Sequence, residues 1–514
     1  MKKILFYTLF IISPLMAQAQ VELRTEAQVT GATGDHNPLW LNANKYGLSS
    51  LDKTNGYVRV GAFRSLENDS TKEWKWGAGA DVAVAAGFTS TLVVQQAYGE
   101  LKWLKGLLTV GSKEQPLELK NQELSSGAQT LGVNARPVPS VRLSLPEYWT
   151  VPYTKGWLGL KGHIAYGMTT DDGWQKDFTH QQSKYTEHTK LHTKAGYLRI
   201  GQAEKPVSVE LGLEMACQYG GTSYVDRGEG IMPMKNEDGI KGMFRSLIPS
   251  GGDVPEGIYA NASGNHLGSY LARVNFDYDN WYLGLYADHF FEDQSQMFFI
   301  DYDGYGQGDE FDEKKDNRWF VYDLKDMMLG AELRLKNFKW LNNIVVEYLY
   351  TKYQSGPVYH DRTPNESTHI SGRDYYYNHS IFTGWQHWGQ VMGNPLYRSP
   401  LYNDNGWIHV FNNRFIAWHL GLSGDPLENL HYRLLTTYQK GWGTYDYLLP
   451  DPQENVSLLA EATYSFPATS TFRGWTVKGA LGLDSGELYS DQGKTTNFGC
   501  QLTVRKSFDL NIKK

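Results

Sequence analysis

The sequence predicts an all-β protein, a transmembrane outer-membrane β-barrel of about 18 antiparallel strands with long extracellular or lumen-folded loops. Three observations predict it. Many stretches alternate apolar and polar residues with a period of two, which only an extended strand separates into two faces. Aromatic residues make up 14% of the chain and 53 residues are glycine, which favours strands and turns over helices. The N-terminus has the layout of a secretory signal.

Residues 1–19 are predicted to be that signal. Lys2 and Lys3 precede a short apolar core at 4–15, and small residues at 17–19 fit a cleavage site before Gln20. Residues 20–514 are then predicted to form a single β-barrel domain. The later sequence holds no apolar run of about 18 residues, so helical membrane spans are not expected.

The clearest strand is the stretch 207–219. Its odd-numbered residues are apolar or aromatic, whereas its even-numbered residues are small or polar and include Glu210 and Glu214. We therefore expect Leu211 and Leu213 to face lipid and the two glutamates to face the barrel lumen. Strong alternation recurs at 74–84, 158–168, 270–278, 281–288, 327–335, 456–464 and 498–508, and weaker candidates lie near 21–30, 57–64, 91–103, 107–112, 139–145, 189–200, 343–353, 407–420, 430–440 and 474–484.

A soluble β-sandwich uses the same period of two, with its apolar face turned inward. Small and charged residues on the polar faces, the signal, and aromatic residues at strand ends favour the membrane barrel. Trp74 and Trp76, at one end of an apolar stripe, are typical of the aromatic girdle at a membrane interface. The predicted location is the cell outer membrane, with lipid as one partner.

The formal net charge is −7, and it becomes −9 when the two signal lysines are lost. This acidic balance disfavours nucleic acid as a partner, because phosphate binding needs a basic surface. The two cysteines, Cys217 and Cys500, both fall on apolar phases of strands. They are interpreted as small wall residues, with a disulfide or metal site as the alternative.

Three segments are too long for turns and are predicted to lie outside the cell or inside the lumen: 220–265, 290–326 and 354–406. In the second, Asp301, Asp303, Gly306, Asp309 and Asp312 match positions of a calcium-loop template. Position 5 is a tyrosine, however, and no helices flank the loop. A solvated acidic loop is therefore favoured, and no metal or other cofactor is predicted.

The segment 354–406 is dense in aromatic rings and planar hydrogen-bonding groups, which together suit the apolar face and hydroxyl rim of a sugar. The candidate glycan-binding residues are Tyr359, Arg373, Tyr376, Trp385, Trp388 and Arg398. The alternative for each ring is that it packs the segment into the lumen.

The sequence offers little for catalysis. It contains no Gly-x-Ser-x-Gly elbow and no His-Glu-x-x-His helix. His379, Ser380 and His387 could be imagined in a hydrolase triad, which keeps an outer-membrane hydrolase as a minor hypothesis. No catalytic residue is predicted, and the protein is expected not to be an enzyme.

Short motifs along the chain add a resemblance. They are Asn37-Pro38-Leu39-Trp40-Leu41 with Tyr46-Gly47, Leu124-Ser125-Ser126-Gly127, Asn134-Ala135-Arg136-Pro137-Val138-Pro139, Phe290-Phe291-Glu292-Asp293-Gln294-Ser295, Tyr377-Asn378-His379, Gly384-Trp385, Gly393-Asn394-Pro395-Leu396, Asn413-Arg414, Gly443-Thr444-Tyr445 and Asp484-Ser485-Gly486. In this order they resemble the Wzi-type capsule assembly proteins, in their Bacteroides-like form. Members of that family have an N-terminal helical bundle, whereas residues 20–74 show no helical periodicity.

The resemblance implies a non-enzymatic outer-membrane barrel that binds capsular or other surface polysaccharide and helps to assemble or retain it at the cell surface. The alternative is an oligosaccharide diffusion channel or transporter of the porin type, because a wall with polar inward residues can surround water. The two hypotheses differ in what fills the lumen.

Overall fold

The computed structural model describes residues 20–202, 204–249, 254–256, 259–261, 263–292, 299–302, 306, 308–315, 317–320, 326–360 and 369–511. Its dominant element is one 18-stranded antiparallel sheet. The strands are Gln20–Thr33 (β1), Thr54–Arg64 (β2), Trp74–Ala86 (β3), Leu92–Trp103 (β4), Gly106–Ser112 (β5), Ser140–Thr150 (β6), Leu158–Met168 (β7), Lys190–Ile200 (β8), Val207–Tyr219 (β9), Asn265–Asp277 (β10), Trp281–Glu292 (β11), Met327–Leu335 (β12), Asn343–Tyr350 (β13), Phe415–Leu427 (β14), Leu430–Gly443 (β15), Leu448–Ser465 (β16), Trp475–Gly486 (β17) and Thr495–Asn511 (β18).

Each strand pairs with its neighbours in the chain, and β1 also pairs with β18, from Gln20 opposite Asn511 to Thr33 opposite Phe498. The sheet is thus a closed barrel with no free edge, which keeps its backbone groups hydrogen-bonded within a membrane. The predicted fold class and strand number are confirmed. The predicted signal, residues 1–19, lies outside the described residues.

The two faces of β9 are those that the sequence predicts. Leu211 is 43% exposed on the outer surface, whereas Glu214 is 1% exposed in the lumen, where it accepts a 2.7 Å hydrogen bond from the Tyr197 hydroxyl. Large aliphatic side chains are exposed on the outward faces of other strands too, including Val58, Val60, Val141, Leu143, Ile164, Leu285, Leu329, Leu481 and Leu502. An apolar exterior around a polar interior is the arrangement of a membrane barrel rather than of a soluble sandwich.

One end of the barrel carries a girdle of exposed tryptophans, namely Trp74, Trp103, Trp149, Trp157, Trp281, Trp340 and Trp475. Two of them, Trp74 on β3 and Trp103 on β4, stack with ring centroids 5.3 Å apart. The girdle lies at the end where the short connections are, such as residues 104–105, 278–280 and 428–429. Short turns face the periplasm in barrels of this kind, so the opposite end is extracellular.

The extracellular end carries the long connections, as predicted. The largest are 220–264, 293–326 and 351–414. One predicted strand boundary is wrong: the candidate 407–420 corresponds to β14, which begins only at Phe415. Residues 407–413 instead turn into the lumen, where Val410 donates a backbone hydrogen bond to the Asn378 amide oxygen at 2.9 Å.

The other elements are short. Helices α1 (Leu39–Asn42), α2 (Asp172–Thr179) and α3 (Gly239–Leu247) and the 3₁₀ turns Leu66–Asp69, Gly308–Glu310 and Pro400–Tyr402 lie in connections. The connections also contain small antiparallel sheets. One has three strands, Tyr185–Glu187, Thr222–Asp226 and Ile231–Lys235. The others are pairs: Val254–Glu256 with Tyr259–Asn261, Phe299–Tyr302 with Asn317–Phe320, Ser355–His360 with His369–Arg373, and Gln386–His387 with Gln390–Val391.

No helix in the described part of the chain combines the length and the apolar character that crossing a membrane requires. Cys217 on β9 is buried and Cys500 on β18 is exposed, and no disulfide joins them. Both belong to outward-facing phases of wall strands, in agreement with their interpretation as small wall residues.

Candidate lumenal channel site

Three connections from the extracellular end fold back into the barrel and together fill most of the lumen. We call them the plug: residues 34–53 with α1, residues 113–139, and residues 374–414. Most of their side chains are buried. The third overlaps the predicted long loop 354–406, and the other two were not predicted to enter the lumen.

Buried carboxylates on the inner wall hold the plug in place. Glu347 of β13 accepts hydrogen bonds from the Ser125 hydroxyl at 2.6 Å and from the Ser126 backbone N–H at 2.8 Å. Asp484 of β17 accepts one from the Leu39 backbone N–H at 2.7 Å, at the start of α1. These wall acids therefore stabilise exposed backbone donors of the plug, because charge-assisted hydrogen bonds are among the strongest.

Two further wall acids bind the segment 113–139. Asp288 of β11 accepts from the Lys120 ammonium at 2.7 Å, and both side chains are almost fully buried. Glu332 of β12 accepts from the Asn121 amide at 2.8 Å and from the Arg273 guanidinium at 2.5 Å. The alternation of β11 and β12 predicts that these acids point inward, and the folded plug supplies the partners.

The centre of the plug is a cluster of aromatic rings. Tyr377 and Tyr397 stack with centroids 4.0 Å apart, and Phe290 of β11 meets the Tyr376 ring edge-on at 4.7 Å. The indole N–H of Trp385 donates to the Thr130 carbonyl at 2.9 Å. The interpretation that these rings pack the segment into the lumen agrees with their burial, since none is more than 2% exposed.

The candidate glycan-binding residues are placed as follows. Tyr376 and Trp385 lie in this buried cluster. Trp388 is partly exposed, and its ring lies under the Arg136 guanidinium, 4.4 Å from the ring centroid. Arg398 is buried and forms an ion pair with Asp491. The side chains of Tyr359 and Arg373 lie outside the described residues, and Trp385 also lines a cavity beside the plug.

The histidines imagined in a hydrolase triad have structural contacts instead. The ring of His387 bridges the Arg136 carbonyl, 2.9 Å from Nδ1, and the Thr170 backbone N–H, 3.1 Å from Nε2. Burial lowers the pKa of His387, so the ring is neutral, donates from Nδ1 and accepts at Nε2. His379 Nδ1 accepts from the Ile381 and Phe382 backbone N–H groups.

Between the plug and the wall strands β4 to β8 lies a cavity of about 350 Å³. We call it the side cavity. It runs along β7 from Gly162 to Gly167, which are five residues apart, or about 17 Å at 3.3 Å per residue. It also extends across the wall from Glu100 of β4 to Tyr197 of β8, so it lies against a broad part of the inner wall.

Charged side chains of both signs line the side cavity. Two ion pairs cross it: Lys113 with Glu100 at 2.6 Å, and Lys161 with Glu118 at 2.5 Å. Arg142 of β6 also lines it, and this guanidinium forms no hydrogen bond or ion pair with the described part of the protein. The carboxylates that act on it electrostatically, Glu118 and Glu214, already bind Lys161 and Tyr197. Arg142 is thus a cation available to a solute in the cavity.

Sequence reasoning did not single out Arg142. Its strand was only a weak candidate at 139–145, although the signal was present: Arg142 stands between the apolar Val141 and Leu143, which are both exposed to lipid. An arginine on the inward phase of an otherwise apolar-outward strand is a lumenal charge. Its lack of a partner depends on how the plug folds.

No group of three or more His, Cys, Asp or Glu side chains in the described ranges could hold a metal ion. Asp303 and the side chain of Asp301, two residues of the calcium-loop template, lie outside the described residues, whereas Asp309 and Asp312 are exposed.

No protein-family model matches the chain, and no curated protein matches it either. Solved structures do match. They include OccK2 (OpdF) of Pseudomonas aeruginosa, at 10% identity over 96% of this chain and 98% of that chain with a TM-score of 0.45, and the same organism's OprD, at 9% identity over 96% and 95% with a TM-score of 0.44. OccK5 (OpdH), also from Pseudomonas aeruginosa, matches at 9% identity over 96% and 98% with a TM-score of 0.44.

These matches are outer-membrane barrel porins, and the chain is an outer-membrane β-barrel. They correct the function expected from the sequence. The leading expectation, binding and retention of capsular polysaccharide, is contradicted, because the matched structures are OprD and Occ proteins. The resemblance to the Wzi-type family stays a prediction, because no comparison tests it. At this low identity the likeness supports the fold alone, so a function has to be argued from the lumen.

Proposed function

We propose that the protein is a narrow channel that lets small hydrophilic solutes cross the outer membrane, and that the side cavity is the tightest part of their path. The observation that carries the proposal is a cavity with charged side chains of both signs that lies between the wall strands β4 to β8 and a well-anchored plug. No chemical step is part of this function. Solutes of the size of a single sugar unit are the class that fits best.

The size of the side cavity supports a small solute. Its volume of about 350 Å³ is near the lower end of the roughly 300–1,000 Å³ usual for pockets that hold small organic molecules. The plug occupies the rest of the lumen and is tied to the wall at Asp288, Glu332, Glu347 and Asp484. A wide, water-filled pore of the general-diffusion type does not fit this packing, whereas a restricted path does.

The chemistry of the lining also supports a hydrophilic solute. Two carboxylate–ammonium pairs and the guanidiniums of Arg136 and Arg142 share the lining with hydroxyls and with apolar side chains such as Leu107, Leu191 and Met392. An apolar ligand would leave the Arg142 guanidinium without water or a partner, which is costly. A sugar or another polar molecule can instead replace the water that solvates it.

The test is flux through the purified protein in liposomes, followed as swelling in isotonic solutions of neutral sugars of increasing size, together with ionic current in planar bilayers. The informative variant is Thr193→Trp. Thr193 is partly exposed and lines the side cavity from β8, so an indole there fills the path. We expect wild-type protein to admit monosaccharides faster than larger sugars, and Thr193→Trp to reduce both swelling and current severalfold.

Leu198→Trp is the matched control, because Leu198 lies on the outward phase of the same strand, opposite Leu211 of β9. An aromatic residue is tolerated at a lipid-facing site, so this variant should retain wild-type flux. The proposal fails if wild-type protein gives no flux above protein-free liposomes, or if Thr193→Trp conducts as well as Leu198→Trp.

A further inference from the structure

Helix α3 (Gly239–Leu247) packs on the outside of the barrel, against the outward face of β7 to β9. The Tyr166 hydroxyl donates to the Met243 carbonyl at 3.1 Å, and the Lys194 ammonium donates to the Leu247 carbonyl at the helix C-terminus. Both side chains alternate with cavity-lining neighbours, Ala165 and Thr193, so they point away from the lumen. The connection 220–264 therefore covers part of the outer wall.

The side of α3 that faces the wall is made of small residues. Gly242 and Ser246 are buried. A Cβ atom at Gly242 would lie only 2.7 Å from the Glu237 carbonyl oxygen and 3.2 Å from the Tyr219 ring. The absence of a side chain at Gly242 thus lets the helix approach the strand closely.

The opposite side of α3 is apolar and exposed. Ile240 is 75% exposed, Phe244 63% and Ile248 64%, and Met243 is partly exposed beside them. The spacing of positions 240, 243, 244 and 248 places these side chains on one helical stripe, which would ordinarily face a protein core. Here the core-like stripe points away from the protein.

Ionic contacts hold the helix in this orientation. Asp238 caps the first turn, where its carboxylate accepts from the Gly239 N–H at 2.5 Å, and it also pairs with Lys190 of β8. Glu237 pairs with Lys241 at 2.9 Å and with Arg245 at 2.6 Å along the flank of the helix. The two ends are therefore anchored to β8, and the apolar stripe cannot rotate onto the wall without breaking these contacts.

The apolar stripe continues the lipid-facing surface of the barrel. Ile164 and Met168 stand on either side of Tyr166 on the outward phase of β7, and both are exposed. Ile164 is also the register partner of Lys194, which binds the helix C-terminus. The exposed stripe of α3 and the exposed aliphatic side chains of β7 thus adjoin each other at the extracellular half of the wall.

We propose that α3 is an interfacial helix that inserts its apolar stripe among the acyl chains of the outer leaflet, next to β7 to β9. An amphipathic helix with cations on its flank lies in the membrane interface in this manner. Lys241, whose side chain is 65% exposed, then lies at the level of the lipid headgroups. The α3 part of the connection 220–264 is then bound to the membrane rather than free in the extracellular medium.

Site-directed spin labelling tests the insertion in the full-length protein. Cys500→Ser removes the exposed thiol, and the buried Cys217 is left in place. Phe244→Cys in this background receives a nitroxide label, and the protein is reconstituted into phosphatidylcholine and phosphatidylglycerol vesicles. We expect the label to be relaxed more strongly by oxygen, which concentrates in acyl chains, than by a water-soluble nickel chelate.

Lys241→Cys is the matched control on the same helix, and its label should show the opposite preference. Heat-modifiable mobility on detergent gels verifies that each labelled barrel is folded. A Phe244 label that favours the nickel chelate would overturn the proposal, because the stripe would then face water. Spin–spin broadening at Phe244 that disappears on dilution with unlabelled protein would also overturn it, because a second copy would then cover the stripe.

Discussion

Lys120 of the plug donates a 2.7 Å hydrogen bond to the Asp288 carboxylate of β11, in an ion pair that is shielded from solvent on both sides. The same Asp288 oxygen accepts from the Gln129 backbone N–H at 3.2 Å. One wall acid thus binds two points of the segment 113–139, and it couples the position of the plug to the shape of the side cavity.

Lys120→Met should loosen the plug without unfolding the barrel. The variant leaves a buried carboxylate without its cation, a change that typically costs about 3–5 kcal/mol. We expect protease cleavage within residues 113–139 and larger, noisier bilayer currents. Lys120→Met with Asp288→Leu removes both charges and should restore most of the protection. Equal protease resistance of wild type and Lys120→Met would mean that the ion pair does not hold the plug.

Leu211→Arg tests the assignment of the two faces of β9. Leu211 is exposed to lipid between Leu198 and Ala272, so a cation there should cost about 2–4 kcal/mol if it lies near the bilayer midplane. Glu210→Gln, on the lumenal phase, keeps an acceptor for the Asn275 amide at 2.8 Å and should leave stability nearly unchanged. Urea unfolding in lipid vesicles measures both, and equal effects would contradict the assigned faces.

Arg142→Gln should change the ion selectivity of the channel. Arg142 lines the side cavity without a described partner, so its loss removes positive potential from the path. We expect the reversal potential in a KCl gradient to shift toward cation selectivity, with the folded barrel unchanged on detergent gels. Arg473→Gln, in an exposed periplasmic connection, is the charge-matched control. An identical shift in both variants would place the conducting path elsewhere.

Acidification should loosen the plug through His387. Burial lowers the pKa of this ring in the docked plug below its ordinary value of 6.5. Protonation therefore favours the undocked plug, so the stabilisation is present above pH 6.5 and is lost as the pH falls below it. Protease accessibility of residues 374–414 should rise from pH 8 to pH 5, and His387→Gln, which cannot be protonated, should reduce this dependence. His409 of the same segment, whose pKa burial also lowers, accounts for the remainder. Identical pH profiles would exclude His387 as the titrating group.

The membrane-facing half of the structure was predictable because it depends on local alternation. The bounds of β9 were evident from the periodicity of 207–219, and the girdle from Trp74 at the end of an apolar stripe. Successive residues of a strand face the bilayer and the lumen in turn. The bilayer favours apolar side chains and the lumen favours polar ones, so the sequence of each strand indicates both environments.

The candidate site depended on contacts between distant parts of the chain. Leu459 is an apolar exception on a polar face of β16, and its inward-pointing side chain is buried in the cluster that joins the wall to the plug. Asp288 and Glu332 lie on the polar phases of β11 and β12, and the plug uses them as anchors. The rings of Tyr376 and Trp385 have the composition of a sugar platform, and only the fold places protein against them.

By itself the sequence determined the barrel, the number of its strands, the polarity of its two faces and its place in the outer membrane. Those properties follow from solvent preferences that act residue by residue. The tertiary structure alone decided which connections fill the lumen, that a cavity with charged side chains remains beside β4 to β8, and that Arg142 has no partner there among the described residues. These properties arise where segments hundreds of residues apart compete for the same space and the same hydrogen bonds, and no local pattern encodes the outcome.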